Sequence, residues 1–300
     1  MPTLKEIKGR ITSVKNTLKI TSAMKLVASA KLRKAQKAIE AMRPYEQQMQ
    51  RILAAASTKT AQTVDVEARA GRKAIVAIAS NSSLCGGFNA MAIAKVRSVR
   101  HPGDTVYSIG RKMAEAMRRD GFPSPEDFTA LSDHPAYGPV ADLVERLTRE
   151  VEAGRLSAVL LVYNHFVSTA RQEPVVETLL GSVGTTADTP AAEEGAFPFA
   201  KMTADASGNA PSSAETTAIM EPSREELLAA LLPKTRKLKL YAALLDNAAA
   251  EHAARTVAMQ TATDNAENLL AELTLQYNKG RQQKITSEIL DLAGGQAENQ

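Results

Sequence analysis

The best candidates for binding or catalysis lie in the stretch SLCGGFNAMAIAKV. This stretch starts at Ser83 and follows an apolar run at Lys73–Ala79. A glycine pair after a strand can point backbone N–H groups at a phosphate. The spacing matches neither the dinucleotide motif G-x-G-x-x-G nor a P-loop, which ends in Lys followed by Ser or Thr. A tight turn that lets a helix pack on a sheet explains the pair better, and we predict no cofactor.

Cysteine and histidine chemistry has little support. Cys85 is the only cysteine, so no internal disulfide can form and a reducing compartment is expected. No histidine is suggested beside it, and Cys85 is therefore predicted to be a small buried residue and not a nucleophile. His252, next to Glu251, is predicted to be packed, since it shares no metal-ligand spacing with the other histidines. The pattern indicates neither a catalytic set nor a metal site.

A third feature is a basic stretch that contains no acidic residue between Glu6 and Glu40. The net charge of the chain is only +4, so this uneven placement indicates an acidic partner surface. Nucleic-acid binding is an alternative, but aromatic residues for base stacking are missing. A solvated helix face is the other alternative. The basic residues are Lys8, Arg10, Lys15, Lys19, Lys25, Lys31, Arg33, Lys34 and Lys37.

A long N-terminal helix must position these charges. Steps of three and four residues between apolar positions are the seam of a coiled coil. The helix is predicted from Thr3 to Ser57, and Pro44 is expected to bend it. The first seam residues are Leu4, Ile7, Ile11, Val14 and Leu18, and the apolar face is predicted to continue through Met24, Leu26, Val27 and Leu32.

The C-terminal part is also predicted to be one long helix. Ser223 is expected to cap it, with Glu226 as the second residue of a capping box. A helix this long exceeds the width of a small domain, so the two terminal helices are expected to pair antiparallel as a rod. The predicted seam is thin and rich in Ala: Leu238, Tyr241, Leu245, Ala248, His252, Met259, Ala262, Ala266, Leu269, Leu273, Ile285, Ile289 and Leu292.

The middle of the chain alternates apolar runs of buried-strand type with helical stretches. This order predicts a small, mostly parallel, Rossmann-like α/β sheet. The strands are expected at Lys73–Ala79, Thr105–Gly110, Ser157–Asn164 and Glu173–Leu180. The helices are expected at Asn89–Arg100, Arg111–Asp120 and Val140–Ala153.

Four regions follow from these patterns. Residues 1–58 and 221–300 are the coiled-coil helices, residues 72–183 are the α/β domain, and residues 184–220 are an insertion. The insertion is dominated by Ala, Thr, Ser, Pro, Gly and Glu, so it is predicted to be a loop or a disordered segment. Its three clustered hydrophobes could dock on a neighbouring surface: Phe197, Phe199 and Met202.

The chain resembles the gamma subunit of the F-type ATP synthase, the central rotor shaft of that complex. The resemblance covers nearly the whole chain apart from the insertion, and the terminal motifs are highly specific. In place of the family's usual Asp-Arg-Gly before Leu-Cys-Gly-Gly, this chain has Asn81-Ser82-Ser83. The matching segments are IKGRITSVKNTLKITSAMKLVASAKLRKAQ, SLCGGFN, EPSREELLAALLP, AEHAARTVAMQTATDNAENL and YNKGRQQKITSEI.

The resemblance implies a function and a set of partners. The rod would lie inside a hexamer of alternating alpha and beta subunits, and the other end would rest on the c-subunit ring beside epsilon. Rotation would couple ion flow to ATP synthesis or hydrolysis on beta, so this chain would not itself be an enzyme. It would contact the membrane only through the c ring, on the cytoplasmic face of a bacterial inner membrane. The alternatives are an α/β nucleotide-dependent enzyme and a basic coiled-coil nucleic-acid binder.

The resemblance also implies individual contact residues. Contact with beta and torque coupling would involve Met24, Arg255, Arg281, Gln282, Thr286 and Glu288. The basic face toward the beta subunits would be Lys8, Arg10, Lys15, Lys19 and Lys25. Glu221 would lie near the c ring.

Overall fold

A computed structural model describes residues 3–56, 71–181 and 223–297, without the side chains of residues 54–56, 224–225 and 291–297. The chain divides into two compact units. The terminal-helix unit contains residues 1–28 and 256–300, and the sheet unit contains residues 29–255. The helices are α1 (Leu4–Ala56), α2 (Phe88–Val99), α3 (Arg111–Arg119), α4 (Thr129–Asp133), α5 (Tyr137–Glu152) and α6 (Arg224–Ala297). The strands are β1 (Lys73–Ile78), β2 (Thr105–Ile109), β3 (Ala158–Phe166) and β4 (Gln172–Leu180).

The sheet has four strands in the order β2-β1-β3-β4. Strand β1 pairs parallel with β2 and with β3, and β4 runs antiparallel to β3. Ile75 therefore lies between Val106 and Leu160. The mostly parallel sheet predicted from the apolar runs is confirmed. Among the elements within residues 3–56, 71–181 and 223–297, only the short α4 was not predicted.

Both faces of the sheet are covered, which explains why Ala74–Ile78 of β1 and Ala158–Tyr163 of β3 are continuous apolar runs. Successive side chains of a strand point to opposite faces. One face packs against α5 and α6 through Val76, Ile78, Leu161, Leu143, Leu147, Leu240 and Leu244. The other face packs against α2 and α3 through Ile75, Ala77, Val162, Ala92, Val96, Met113 and Met117.

Both terminal helices contribute to the sheet unit. In α6, no residue between Leu238 and Ala253 is exposed. The adjoining part of α1 packs against this stretch in a cluster that also includes Cys85 and Phe88. Its helix residues are Leu32, Ile39, Met42, Leu238, Ala242, Leu245, Ala249, Ala250 and Ala253. The many alanines let the helix backbones approach closely.

In the terminal-helix unit the two helices pair antiparallel, and two contacts fix their register. The Thr263 hydroxyl lies 3.0 Å from the Thr21 hydroxyl. A Cβ added at Gly280 would lie 3.1 Å from Leu4 Cδ2. Leu4 and Thr21 are 17 residues apart, and so are Thr263 and Gly280. Counting between these pairs places Ile7 opposite Tyr277, Ile11 opposite Leu273, Val14 opposite Leu270 and Leu18 opposite Ala266.

The seam differs from the prediction in its details. Leu26 and Val27 are 71% and 57% exposed, whereas Thr21 and Ala28 are buried. Steps of three and four from Leu18 reach residues 21, 25 and 28, so the helical phase, and not the size of the apolar side chain, selects the seam. The same count places the half-buried Leu270, and not the exposed Leu269, in the seam of α6. Ile285 and Ile289 fall outside the count and are exposed.

Both long helices begin with capping residues. At the start of α1, the Glu6 N–H donates to Thr3 Oγ1 at 3.3 Å and the Thr3 N–H donates to Glu6 Oε2 at 3.0 Å. This is a complete capping box. At the start of α6, the Glu226 N–H donates to Ser223 Oγ at 3.2 Å, which confirms the predicted cap.

Candidate functional site

The end of α6 carries an uninterrupted exposed surface. All ten side chains from Arg281 to Leu290 are exposed. They include the apolar Ile285, Ile289 and Leu290, which are 46%, 59% and 64% exposed. A row of large apolar side chains among polar ones is typical of a surface that a partner covers.

Four of the predicted contact residues lie on this surface. Thr286 Oγ1 donates to the Gln282 carbonyl oxygen at 2.9 Å. Lys284 Nζ lies 3.6 Å from Glu288 Oε1, and both side chains are well exposed. Arg281 precedes them in the same run. An exposed ion pair of this kind contributes little stability, so these side chains are available for intermolecular contacts.

The basic face of α1 is exposed at four of its five predicted positions. Lys8, Arg10, Lys15 and Lys19 are exposed in the terminal-helix unit, and none forms an ion pair with a described residue. Lys25 is half-buried because it occupies a seam position, four residues after Thr21. The four exposed charges form a positive surface that suits an acidic partner.

Met24 and Arg281 are far apart in the terminal-helix unit. The register places Met24, which is half-buried, opposite Gln260 and places Arg281 opposite Thr3. Gln260 and Arg281 are separated by about 30 Å along α6, at 1.5 Å per residue. The residues predicted to contact beta therefore belong to at least two separate surfaces.

Arg255 lies in a buried network of the sheet unit. Its guanidinium donates to Glu251 Oε1 at 2.7 Å and to Ser82 Oγ at 2.8 Å. Only 11% of its side chain and 5% of that of Glu251 are exposed. Burial and the charges of Arg255 and Lys31 lower the pKa of the neighbouring His252 to about 4. Arg255 thus holds the loop that contains Ser82 against α6.

The glycine pair forms the turn that starts α2. Cys85 is buried, and burial raises the pKa of its thiol. The Asn89 amide donates to Cys85 Sγ at 3.2 Å and to Ser80 Oγ at 2.8 Å, so the turn is tied to the first turn of α2. Leu84 has a φ of 67° and an exposed side chain. Across residues 3–56, 71–181 and 223–297, no three His, Cys, Asp or Glu side chains are grouped to hold a metal ion.

Sequence reasoning missed a group of buried polar side chains that face one another from α1, α6, β3 and β4. His165 Nδ1 lies 2.6 Å from Asp246 Oδ2, and both residues are largely buried. Tyr163 donates to Glu177 at 3.0 Å, and Lys239 lies 3.4 Å from the same carboxylate. Glu46 is the sixth member. Continuing the heptad count along α1 would have placed Glu46 in the seam. For the other five residues, nothing in the neighbouring sequence indicates that they come together.

Some sequence predictions fall outside the described residues, among them the side chain of Leu292 and the predicted end of the first helix at Ser57. Glu221 and the insertion at residues 184–220 both lie in the stretch between residues 181 and 223. No helix in the described part of the chain is both long enough and apolar enough to span a membrane.

Comparisons with known proteins agree over the full length of the chain. A family model described as ATP synthase matches residues 3–297. The ATP synthase gamma chain of Phocaeicola vulgatus is 44% identical over 305 residues, which cover 98% of this chain and 99% of the relative. That of Bacteroides thetaiotaomicron is 42% identical with the same coverage.

Solved structures share the fold. A chain from the OSCP/F1/c-ring structure of the Euglena gracilis mitochondrial ATP synthase matches with a TM-score of 0.65 at 18% identity, over 98% of this chain and 93% of that one. A chain from the central stalk/c-ring structure of the Tetrahymena thermophila enzyme matches with a TM-score of 0.53 at 19% identity, over 81% and 99% of the two chains. At such low sequence identity, the structural match supports the fold alone, which consists of long terminal helices and a mixed sheet.

Proposed function

The chain belongs to the ATP synthase gamma chain family, and on that premise we propose that it is the central rotor shaft of a rotary ATP synthase. The observation that carries the proposal is the exposed run from Arg281 to Leu290, where apolar and hydrogen-bonding side chains alternate around the end of α6. We propose that alpha and beta subunits surround this surface.

The surface can act on a catalytic partner because it differs from one side to the other. Arg281 and Lys284 place positive charge on the helix, Glu288 adds a carboxylate, and Ile285 and Ile289 add apolar area. A rotating helix would present each beta subunit in turn with a different combination of these groups. A conformational equilibrium shifts only when a ligand binds its states with different free energies, and a uniform surface could not provide that difference.

The basic face of α1 supplies a second contact in this proposal. Lys8, Arg10, Lys15 and Lys19 are exposed without intramolecular ion pairs to described residues, and they would face acidic loops of the beta subunits. Such contacts between exposed charges weaken as salt increases. We therefore expect assembly with the alpha/beta hexamer to become weaker at high ionic strength.

The sheet unit is proposed to rest on the c-subunit ring beside epsilon, with Glu221 near the ring. The chain would then be a peripheral subunit on the cytoplasmic face of a bacterial inner membrane. Catalysis would occur on the beta subunits, since the sequence has no P-loop and its glycine turn serves to start α2. The isolated chain is expected to hydrolyse no ATP.

The proposal is tested by removing the polar contacts at the end of α6. The double variant Gln282→Ala/Thr286→Ala keeps the helix, because Ala has the highest helix propensity. We expect the free energy of unfolding of the isolated chain to change by about 0.5 kcal/mol or less, as for other exposed positions. Proton-driven ATP synthesis by the reconstituted complex is expected to fall.

A matched control is the pair Arg118→Ala/Arg119→Ala, two exposed residues on α3 in the sheet unit. It should leave the coupling between rotation and synthesis unchanged. Unaltered synthesis in the Gln282/Thr286 variant would refute the proposed contacts. Failure of the wild-type chain to co-purify with alpha and beta subunits would refute the rotor function itself.

A further inference from the structure

Glu46 is a buried acid that the rotor function does not use. Its side chain is only 3% exposed, although it belongs to the sheet unit's part of α1, where the neighbouring seam residues Ile39, Met42 and Met49 are apolar. These positions follow the steps of three and four that begin at Leu4. A carboxylate at such a position is costly because burial disfavours its charged form.

Neither carboxylate oxygen of Glu46 has a hydrogen-bond partner among the described residues. The positive charge of Arg43, one turn earlier on α1, favours ionisation of Glu46. The negative charge of Asp246 on α6 opposes it. Burial raises the pKa of Tyr163 on β3, and the charge of Glu46 adds to this effect. Two negative groups and a phenol therefore face one another where α1, α6 and β3 meet.

The other charges in this group are already balanced in pairs. Asp246 is paired with His165 at 2.6 Å, and Asp246 also accepts from the Phe166 N–H at 3.2 Å. Glu177 on β4 is paired with Lys239 on α6 at 3.4 Å. Glu46 would add a negative charge that these pairs do not neutralise, and a proton is the smallest ligand that removes it.

We propose that Glu46 is a proton-binding site, and that loss of its proton weakens the packing of α1 against α6 and β3 within the sheet unit. The inference concerns the fold of this chain and does not rest on its proposed function as a rotor. The ligand is a hydrogen ion, and the carboxyl of the folded protein carries it at mildly acidic pH.

Electrostatics agrees with the geometry. Burial first, and then the charge of Asp246, raise the pKa of Glu46 from 4.5 to about 7, against the opposing effect of Arg43. Because the folded-state pKa is raised, the stabilisation is fully present below pH 4.5 and is lost as pH rises through 7. Between pH 5 and pH 7, Glu46 alone should increase the unfolding equilibrium constant about forty-fold.

The test is chemical denaturation of the full chain at several pH values, for wild type and for Glu46→Gln. Gln resembles the protonated acid and cannot ionise. Burial lowers the pKa of His165, but its pairing with Asp246 raises that pKa overall. Because His165 therefore also contributes to the pH dependence, the result is the difference between the two proteins. We expect wild type to lose stability relative to Glu46→Gln by about forty-fold from pH 5 to pH 7.

A control variant is Glu40→Gln, an exposed acid on the same helix, which should keep the wild-type pH dependence. Infrared spectroscopy of wild type and Glu46→Gln with ¹³C-labelled Glu provides a second measurement. Because burial also raises the pKa of Glu251, the supporting result is a protonated carboxyl band at pH 6 that shifts with the label and is missing from Glu46→Gln. Parallel pH curves for wild type and Glu46→Gln, or no such band at pH 6, would overturn it.

Discussion

Helix α6 passes through two environments, and the same Ala-rich composition serves both. Between Leu238 and Ala253 no side chain is exposed, because the sheet and α1 cover the helix. From Met259 to Leu290 only four side chains are buried, at Met259, Thr263, Ala266 and Leu273. The first stretch is built as a protein core. The second leaves most of its surface exposed.

The two units also differ in what they bury. The sheet unit encloses charged groups such as Asp246, Glu251 and Lys239, each held by a partner. The described seam of the terminal-helix unit contains two threonines, Thr21 and Thr263, and the half-buried Lys25. Substitutions should therefore be far more costly in the sheet unit, and the following predictions test that difference.

The largest effect is expected for Arg255→Ala in the sheet unit. It removes the partner of Glu251 and leaves a carboxylate that is 5% exposed without its charge partner. Loss of one member of a buried ion pair costs about 3–5 kcal/mol. Chemical denaturation of the isolated chain measures it. Arg281→Ala in the terminal-helix unit is the matched control and should cost about 0.5 kcal/mol or less. Equal losses of unfolding free energy in Arg255→Ala and Arg281→Ala would contradict the expected difference between the two units.

A second comparison uses two leucines of α6. Leu240 is completely buried under the sheet, and Leu275 is 73% exposed. Leu240→Ala should cost about 2–5 kcal/mol because it leaves a cavity in a packed core. Leu275→Ala should change stability by about 0.5 kcal/mol or less, because its side chain is mostly exposed. Comparable denaturation midpoints for the two variants would show that the sheet core tolerates the cavity.

The third prediction concerns pH and His252 in the sheet unit. Burial first, and then the charges of Arg255 and Lys31, lower its pKa from 6.5 to about 4. The unfolded chain therefore binds a proton that the folded chain excludes, and stability is lost as pH falls from 6.5 to 4. The loss is about 2–3 kcal/mol and is opposite in sign to the effect of Glu46. Denaturation of His252→Gln over this range should show a flatter profile, and an unchanged slope would contradict the assignment.

Much of the fold could be predicted because its signals are local. The run KAIVAIA became β1 since a strand covered on both faces is apolar throughout, and Ser223 caps α6 as its spacing with Glu226 indicates. The exposed residues Gln282 and Thr286, which we propose as contacts to beta, could be named only through the resemblance to a family. Their types alone would not separate them from other polar helix residues.

The rest could not be predicted because its partners are distant in sequence. His165 and Asp246 are 81 residues apart, and nothing near either residue indicates the other. Leu26 and Val27 were expected in the seam because they are apolar, whereas the heptad count selects Thr21 and Ala28. The heptad position along a long helix thus predicted burial better than hydrophobicity did. Continuing the same count would have predicted that Glu46 is buried.

The smallest effect on stability is expected in the terminal-helix seam, at Thr21 and Thr263. Both hydroxyls already have a carbonyl partner in their own helix, at Leu18 and Met259. Replacing two paired polar groups with apolar groups of similar shape is often nearly neutral, so Thr21→Val/Thr263→Val should change the free energy of unfolding by about 1 kcal/mol or less. What should change is register, because a buried polar pair in a mostly apolar seam penalises slipped pairings.

Register can be read by disulfide trapping in a Cys85→Ala background. The pair Leu4→Cys/Gly280→Cys reports the native register, and Leu4→Cys/Leu273→Cys reports a shift of one heptad. With both threonines present, only the first pair should cross-link. In the double valine variant the second should cross-link as well, since Ile, Leu and Val side chains pack similarly after such a shift. If the shifted pair never forms, the apolar residues and the close contact at Gly280 alone set the register, and the two threonines only fill the seam.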